Sequence, residues 1–374
     1  MSQSVLLRPC AGARDWRLFE RLPEILHGSD PAYVPPFPGD VAKLRKPTHP
    51  FHLDGSMTPY VAFEDGRPVG RVASIVNRTH NRFHADRTGF FGFFDFADER
   101  VAATLLDRVR SDLRAAGMTL MRGPFNPTQN DECGLHVTGL GEAPYFGMPY
   151  TPARYAATYA ALGLAPARDM LAYYIDPALE ASFRDRMAGL AERIRKRFPV
   201  TVRPVDLSRV REEAELIARL FNESLAAEWN FMPLSPEMVM HFAQDLLREI
   251  EREAILIAEV DGKPAGISIG LPNLNEFLAD AKRLPRWLRW PRLIWLIKTR
   301  RCRRVRWAVF AMLPEYRRRG GTALLIYEAI MRMKGRYAAG ELSWTQDIND
   351  EVNGLATQLG LEPYKRYRIY ETAL

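Results

Sequence analysis

The chain repeats itself. Leu7-Arg8-Pro9 returns as Val202-Arg203-Pro204, and Glu64-Asp65-Gly66-Arg67-Pro68-Val69-Gly70 as Val260-Asp261-Gly262-Lys263-Pro264-Ala265-Gly266. Leu162-Gly163-Leu164-Ala165-Pro166 then returns as Leu359-Gly360-Leu361-Glu362-Pro363. The three matches keep their order at offsets of 195, 196 and 197 residues. A near-constant offset predicts a duplicated unit, so the chain must fold as two equivalent halves. Its 374 residues are enough for two separate cores.

Each half carries the same run of elements. The Asp-Gly pairs sit between β-prone runs and predict tight hairpins, Tyr60–Glu64 with Val69–Val76 and Ala254–Val260 with Ala265–Leu271. A third strand follows at Thr88–Phe96 and at Val305–Met312, then an amphipathic helix at Glu99–Ala116 and at Thr322–Lys334. Further strands are expected at Thr119–Gly123 and Glu341–Gln346, and closing strands near Leu171–Ile175 and Tyr367–Glu371. Gly163 and Gly360 are placed to stop the short helix before each closing strand. The expected class is α/β with a mixed sheet. The expected division is a first domain over 1–176, a linker helix over 177–198 and a second domain over 199–374.

Charge is local. The net charge is +7, but residues 282–306 hold eleven Lys and Arg and no acid. Without them, acids outnumber the remaining bases, so the surface as a whole is not a polycation. In this tract arginine alternates with Trp287, Trp290 and Trp295, and Pro291 is expected to break the helix. Such a segment suits a lid over a cleft or contact with a membrane surface, and nucleic acid less well. Cys10, Cys133 and Cys302 form no CxxC pair, which suits a reducing compartment. The start, MSQSVLLRPCAGARDW, lacks a basic flank and apolar core, so a cytoplasmic protein is expected.

The chemistry concentrates after the third strand of the second half. There Leu313-Pro314-Glu315-Tyr316-Arg317-Arg318-Arg319-Gly320-Gly321-Thr322-Ala323 is a glycine-rich turn opening a helix. The first helix amides lack internal partners and sit at the positive end of the dipole, a natural pyrophosphate site. The segment resembles the coenzyme A motif of the GNAT superfamily of acyl-CoA-dependent N-acyltransferases, Q/R-x-x-G-x-G/A. Arg317, Gly320 and Thr322 occupy its positions, Thr322 departing from Gly/Ala. Asn349, Leu355, Gly360 and Leu361 resemble the family's later N-x-x-A-x-x-L-Y-x-x-x-G-F segment. The counterpart in the first half, Phe94-Asp95-Phe96-Ala97-Asp98-Glu99, has no glycine and three acids, which would repel a pyrophosphate. The whole resembles bacterial tandem GNAT proteins with a degenerate first copy.

This resemblance implies acyl transfer, with acetyl-CoA or another acyl-CoA as co-substrate and a small-molecule or peptide amine as acceptor; no metal is implied. Arg317, Arg318, Arg319, Gly320, Gly321, Thr322 and Ala323 would hold the pyrophosphate, and Asn349 would reach the pantetheine arm. Backbone amides between Val309 and Met312, taking in Phe310, would polarise the thioester carbonyl. The family's usual tyrosine acid falls on Ala356, which leaves three alternatives: a substitute such as Tyr364 or Tyr327, water, or loss of catalysis in this copy. Glu228 is the expected base, with Asp347 second. Two further readings stay open: a non-catalytic acyl-CoA- or partner-binding module, and a transferase using aminoacyl-tRNA. His80 and His84 stand i, i+4 without the glutamate of a zinc motif. The Asn126–Glu132 loop is read as exposed or as part of a substrate cleft.

Overall fold

The computed structural model describes residues 4–246, 252–317 and 320–374. Arg318 and Arg319 therefore lie outside the described residues. The first copy runs β1 (Leu6–Pro9), α1 (Ala13–His27), β2 (Gly55–Glu64), β3 (Arg67–Asn77), β4 (Thr88–Phe96) and α2 (Glu99–Ala115). It continues with β5 (Leu120–Gly123), β6 (Leu135–Thr138), α3 (Tyr155–Ala161) and β7 (Ala165–Ile175), and α4 (Pro177–Arg197) follows. The second copy runs β8 (Val200–Pro204), α5 (Val210–Leu225), α6 (Pro236–Leu246), β9 (Ile255–Val260) and β10 (Lys263–Pro272). Then come α7 (Asn275–Lys282), α8 (Arg286–Thr299), β11 (Arg304–Met312), α9 (Gly321–Met333), β12 (Ala339–Gln346), α10 (Asp350–Gln358) and β13 (Pro363–Ala373).

The duplication holds down to single residues. Both hairpins turn on Asp-Gly pairs with positive φ at each residue, 46° and 76° at Asp65-Gly66 and 51° and 72° at Asp261-Gly262. That geometry matches the strand twist and favours Asp-Gly. Each hairpin then bulges at the same place, after Ala62 in one copy and after Ala258 in the other. The repeated Gly70 and Gly266 follow from close packing: a Cβ would come within 2.8 Å of Val101 and Leu105 in one copy and of Met312 in the other.

The compact units do not follow chain order. One comprises residues 1–170, 277–294 and 365–374; the other comprises 171–276 and 295–364. Neither unit coincides with the expected division over 1–176, 177–198 and 199–374. In the first unit, β13 of the second copy pairs antiparallel with β5, Tyr370 opposite Gly123, and with β6. Tyr370 packs in a core with Phe91, Phe96, Leu105 and Tyr159. Burial of Ile369 contributes about 1.5–3 kcal/mol. In the second unit, Leu171, Tyr173 and Ile175 of the first copy enter the core with Leu256, Trp307, Leu325 and Ala356. The closing strand of each copy therefore serves the other copy's unit. The helix expected as a linker, α4, packs within the second unit, where Ala191 and Ile194 meet Leu324 of α9.

Pro291 does not break the helix. It lies inside α8, which runs on to Thr299. The carbonyl freed four residues earlier belongs to Trp287, which is exposed, so water can satisfy it.

Candidate active site

In the second unit, β11 and β12 begin as parallel neighbours, paired from Arg304 with Ala339 to Trp307 with Leu342. Both strands run on, to Met312 and Gln346, beyond that registered pairing. At the point of parting β11 carries a bulge: Trp307 and Val309 pair with Gly270 and Ile269, leaving Ala308 out of register. A bulge re-aims backbone groups and loosens pairing, so the facing strand edges here are left to a ligand or to solvent.

The helix α9 starts at the far end of β11. Its N-cap is Gly320 with φ 84°, and no side chain caps the helix. The first ladder bond runs from Leu324 N–H to Gly320 C=O, so the amides of Gly321, Thr322 and Ala323 precede it. The Thr322 hydroxyl is buried and has no hydrogen-bond partner among the described residues. Amides ahead of the first ladder bond, a helix dipole and a buried hydroxyl form a donor set for a diphosphate, so these residues fit the coenzyme.

The Arg317 side chain is held by the backbone beside the turn. Its Nε donates to Met312 C=O at 2.9 Å and another guanidinium nitrogen donates to Ser224 C=O. It ties the turn to the end of β11 and to α5. Arg317→Ala is expected to leave two carbonyls short of their donor, to cost about 2 kcal/mol of stability, and to weaken coenzyme affinity through a looser turn. Thermal melts and calorimetry check this. Asn349 is likewise occupied: it caps α10, its Oδ1 accepting from Val352 N–H at 3.1 Å. The Met312 side chain is buried core, and that of Phe310 packs against the same core. Any ligand role for either falls to its backbone.

The loop after α5 carries Glu228. Gln346 Nε2 at the end of β12 donates to Trp229 C=O at 2.9 Å, and Arg317 reaches Ser224 four residues before Glu228. The loop is thereby fastened to both walls of the parted strands. Burial pushes the Glu228 carboxyl above its usual range; Arg317 opposes this and Glu351 reinforces it. Asp347 follows Gln346 and is exposed. Tyr327 packs against the core with Arg195 over its ring, which leaves it a structural part.

A polar chain under the same strands was not expected from the sequence. Arg306 Nε donates to Ser343 Oγ at 2.9 Å, Ser343 Oγ donates to Glu341 Oε1 at 2.5 Å, and the Tyr364 hydroxyl donates to Glu341 Oε2. Glu341 is 0% exposed. Its signal was present in the alternation Glu341-Leu342-Ser343-Trp344-Thr345, which gives β12 a polar face. Tyr364 is thus coupled to a buried carboxylate. Ala356, at the position of the family's tyrosine, is buried among apolar neighbours.

The first copy has closed both features. At the start of α2, Asp98 supplies the cap, its carboxylate accepting from Val101 N–H at 2.9 Å. The anion position is filled by the chain itself. Between β4 and β5, pairing ends at Phe90 with Arg122. There the Phe125–Asn126 segment lies against β4: Asn126 Oδ1 accepts from Phe93 N–H at 2.6 Å, and a Cβ at Gly92 would strike Phe125 C=O. The Asn126 loop is therefore a plug on the opened strand.

No protein-family model matches the chain. It is 29% identical over 377 residues to Protein YghO of Escherichia coli strain K12, covering 99% of this chain and 96% of that protein. It is 28% identical over 376 residues to the bacterial ceramide synthase of Caulobacter vibrioides strain NA1000 / CB15N, covering 98% and 97%. Among solved structures it is similar to the tandem GNAT protein from the clavulanic acid biosynthesis pathway, with TM-score 0.55, 14% identity, and 99% and 98% of the two chains covered.

Proposed function

We propose that this chain, which has the GNAT fold in two tandem copies, is an acyl-CoA-dependent N-acyltransferase with one coenzyme site, in its second copy. The observation that carries the reading is the junction of three parts: the uncapped start of α9, the parted β11 and β12, and the Glu228 loop fastened to both strand ends. The coenzyme supplies an acyl group as a thioester. The Gly321–Ala323 amides and the Thr322 hydroxyl bind its diphosphate. Backbone amides near the Ala308 bulge donate to the carbonyl oxygen as negative charge develops there. Glu228 takes the proton of the attacking amine, directly or through one water. Tyr364, coupled to Glu341, is the group with a proton to return to the leaving thiolate.

The name of the Caulobacter relative supports a lipid acceptor over a peptide. Ceramide is the amide of a fatty acid and a long-chain amino alcohol, the same bond this site would form. The test incubates the protein with acetyl-CoA and palmitoyl-CoA against a panel of long-chain, small polar and peptide amines. Free thiol and the amide product are followed together. Amine-dependent thiol release with a matching amide supports transfer. Tight coenzyme binding without thiol release across the panel would leave a binding module instead. Transfer that requires aminoacyl-tRNA would replace the acyl donor.

A further inference from the structure

We infer that α8 is a docking face for an anionic lipid bilayer. The helix is apolar on two sides. Leu293 and Leu296 are buried, at 1% and 5% exposure, which accounts for one face. The other points to solvent, yet carries Trp287 at 76%, Trp290 at 48%, Ile294 at 40% and Trp295 at 45% exposure. At 100° per residue these four fall, with Lys298, within an arc of about 140°. A water-facing arc of three indoles and an isoleucine has no purpose in a solvated helix.

The charges select the partner. Two interleaved arginines are turned away from the arc and neutralised: Arg289 pairs with Glu24, and Arg292 holds Asp280 with two bonds at 2.8 and 3.2 Å. Lys298 lies on the arc, and Arg300 sits beside it over the Trp295 ring, 5.8 Å from its centre. Arg283 flanks the other end, where Arg286 shares Glu24 with Arg289, and residues 282–306 contain no acid. Tryptophan with an aliphatic residue, edged by cations, matches the interface of a bilayer, where indoles settle among headgroups and cations meet lipid phosphates. An RNA would need a row of cations along the face itself, whereas this arc sets Lys298 among indoles and an isoleucine, and Arg289 and Arg292 point away from it into Glu24 and Asp280. The helix is only 14 residues, about 21 Å. No helix among the described residues is long and apolar enough to cross a membrane, so α8 lies along the surface.

The base of the platform is firm. Lys282, at the end of α7, donates to the carbonyls of Asp30 and Tyr33 at 2.8 and 2.9 Å, and Trp290 meets the Phe37 ring edge-on at 6.0 Å. The docking face is therefore held before any lipid arrives.

The test needs no coenzyme and is separate from acyl transfer. Full-length protein is sedimented with phosphatidylcholine vesicles, and with vesicles in which half of that lipid is phosphatidylglycerol. Binding is expected to the anionic vesicles, to weaken with salt, and to bring quenching of tryptophan fluorescence by brominated acyl chains. The double change Trp287→Ser/Ile294→Ser is expected to lower partitioning roughly tenfold or more. Lys298→Gln/Arg300→Gln is expected to lower it by about fivefold per cation. All four side chains are exposed, so melting temperatures should hold, and the quenching experiment on the unchanged protein stands apart from any variant. No binding to anionic vesicles would overturn the inference. So would binding indifferent to Trp287 and Ile294, or salt-sensitive tRNA binding through Lys298 and Arg300 without vesicle binding.

Discussion

Replacing Gly320 by aspartate should abolish coenzyme A binding while leaving the protein folded. Gly320 has φ 84°, and a Cβ there would come within 2.7 Å of Ile194 Cδ1. Aspartate tolerates this backbone region better than most residues, at a cost of about 1 kcal/mol. Its carboxylate would sit at the mouth of α9, where the first copy already holds Asp98. A unit charge about 4 Å from a phosphate is worth on the order of 4 kcal/mol near a protein surface, so affinity should fall by about a hundredfold or more. Calorimetry with coenzyme A reads the affinity, and circular dichroism the fold. An unchanged affinity would place the diphosphate elsewhere and remove the basis of the transferase reading.

For Glu228→Gln, turnover should fall while stability holds or rises. Loss of a general base lowers kcat by about 10²–10⁴. The wild-type carboxyl is raised above its ordinary value by burial, so its ionised form disfavours the fold. Stability is thus lost as pH rises from the unfolded-state value through the folded one. Glutamine removes that loss, and the melting temperature near neutral pH should stay level or rise. The pH profile separates roles further. Wild-type kcat/KM should fall on the acid side as Glu228 takes up a proton; in the variant that limb disappears and only the acceptor amine's titration remains. A variant with full kcat would shift attention to the Tyr364–Glu341 pair.

These two residues were legible for different reasons. Gly320 stands out because a glycine at a strand-to-helix turn is a local requirement of backbone geometry, and the repeat shows the other copy lacking it. Glu228 stood out only through its place in the resemblance. What it touches depends on Gln346 and Arg317, each roughly a hundred residues away. Arg317 carried the motif, but its guanidinium is held by two carbonyls that no spacing announces. Nor did Asn126 declare itself: a polar loop looks solvated until a strand edge offers it an unpaired amide.

By itself, the sequence determined whatever short-range physics decides: the duplication, the Asp-Gly turns, the strand and helix periods, the uncapped glycine turn in one copy and the acidic start in the other. Tertiary structure alone decided which strand each copy lends to the other unit, which polar groups are buried together at Glu341, and that the outer face of α8 is left to solvent. Those outcomes depend on pairing and burial between distant segments. Such contacts form only when the whole chain is packed, and a local pattern is compatible with many of them.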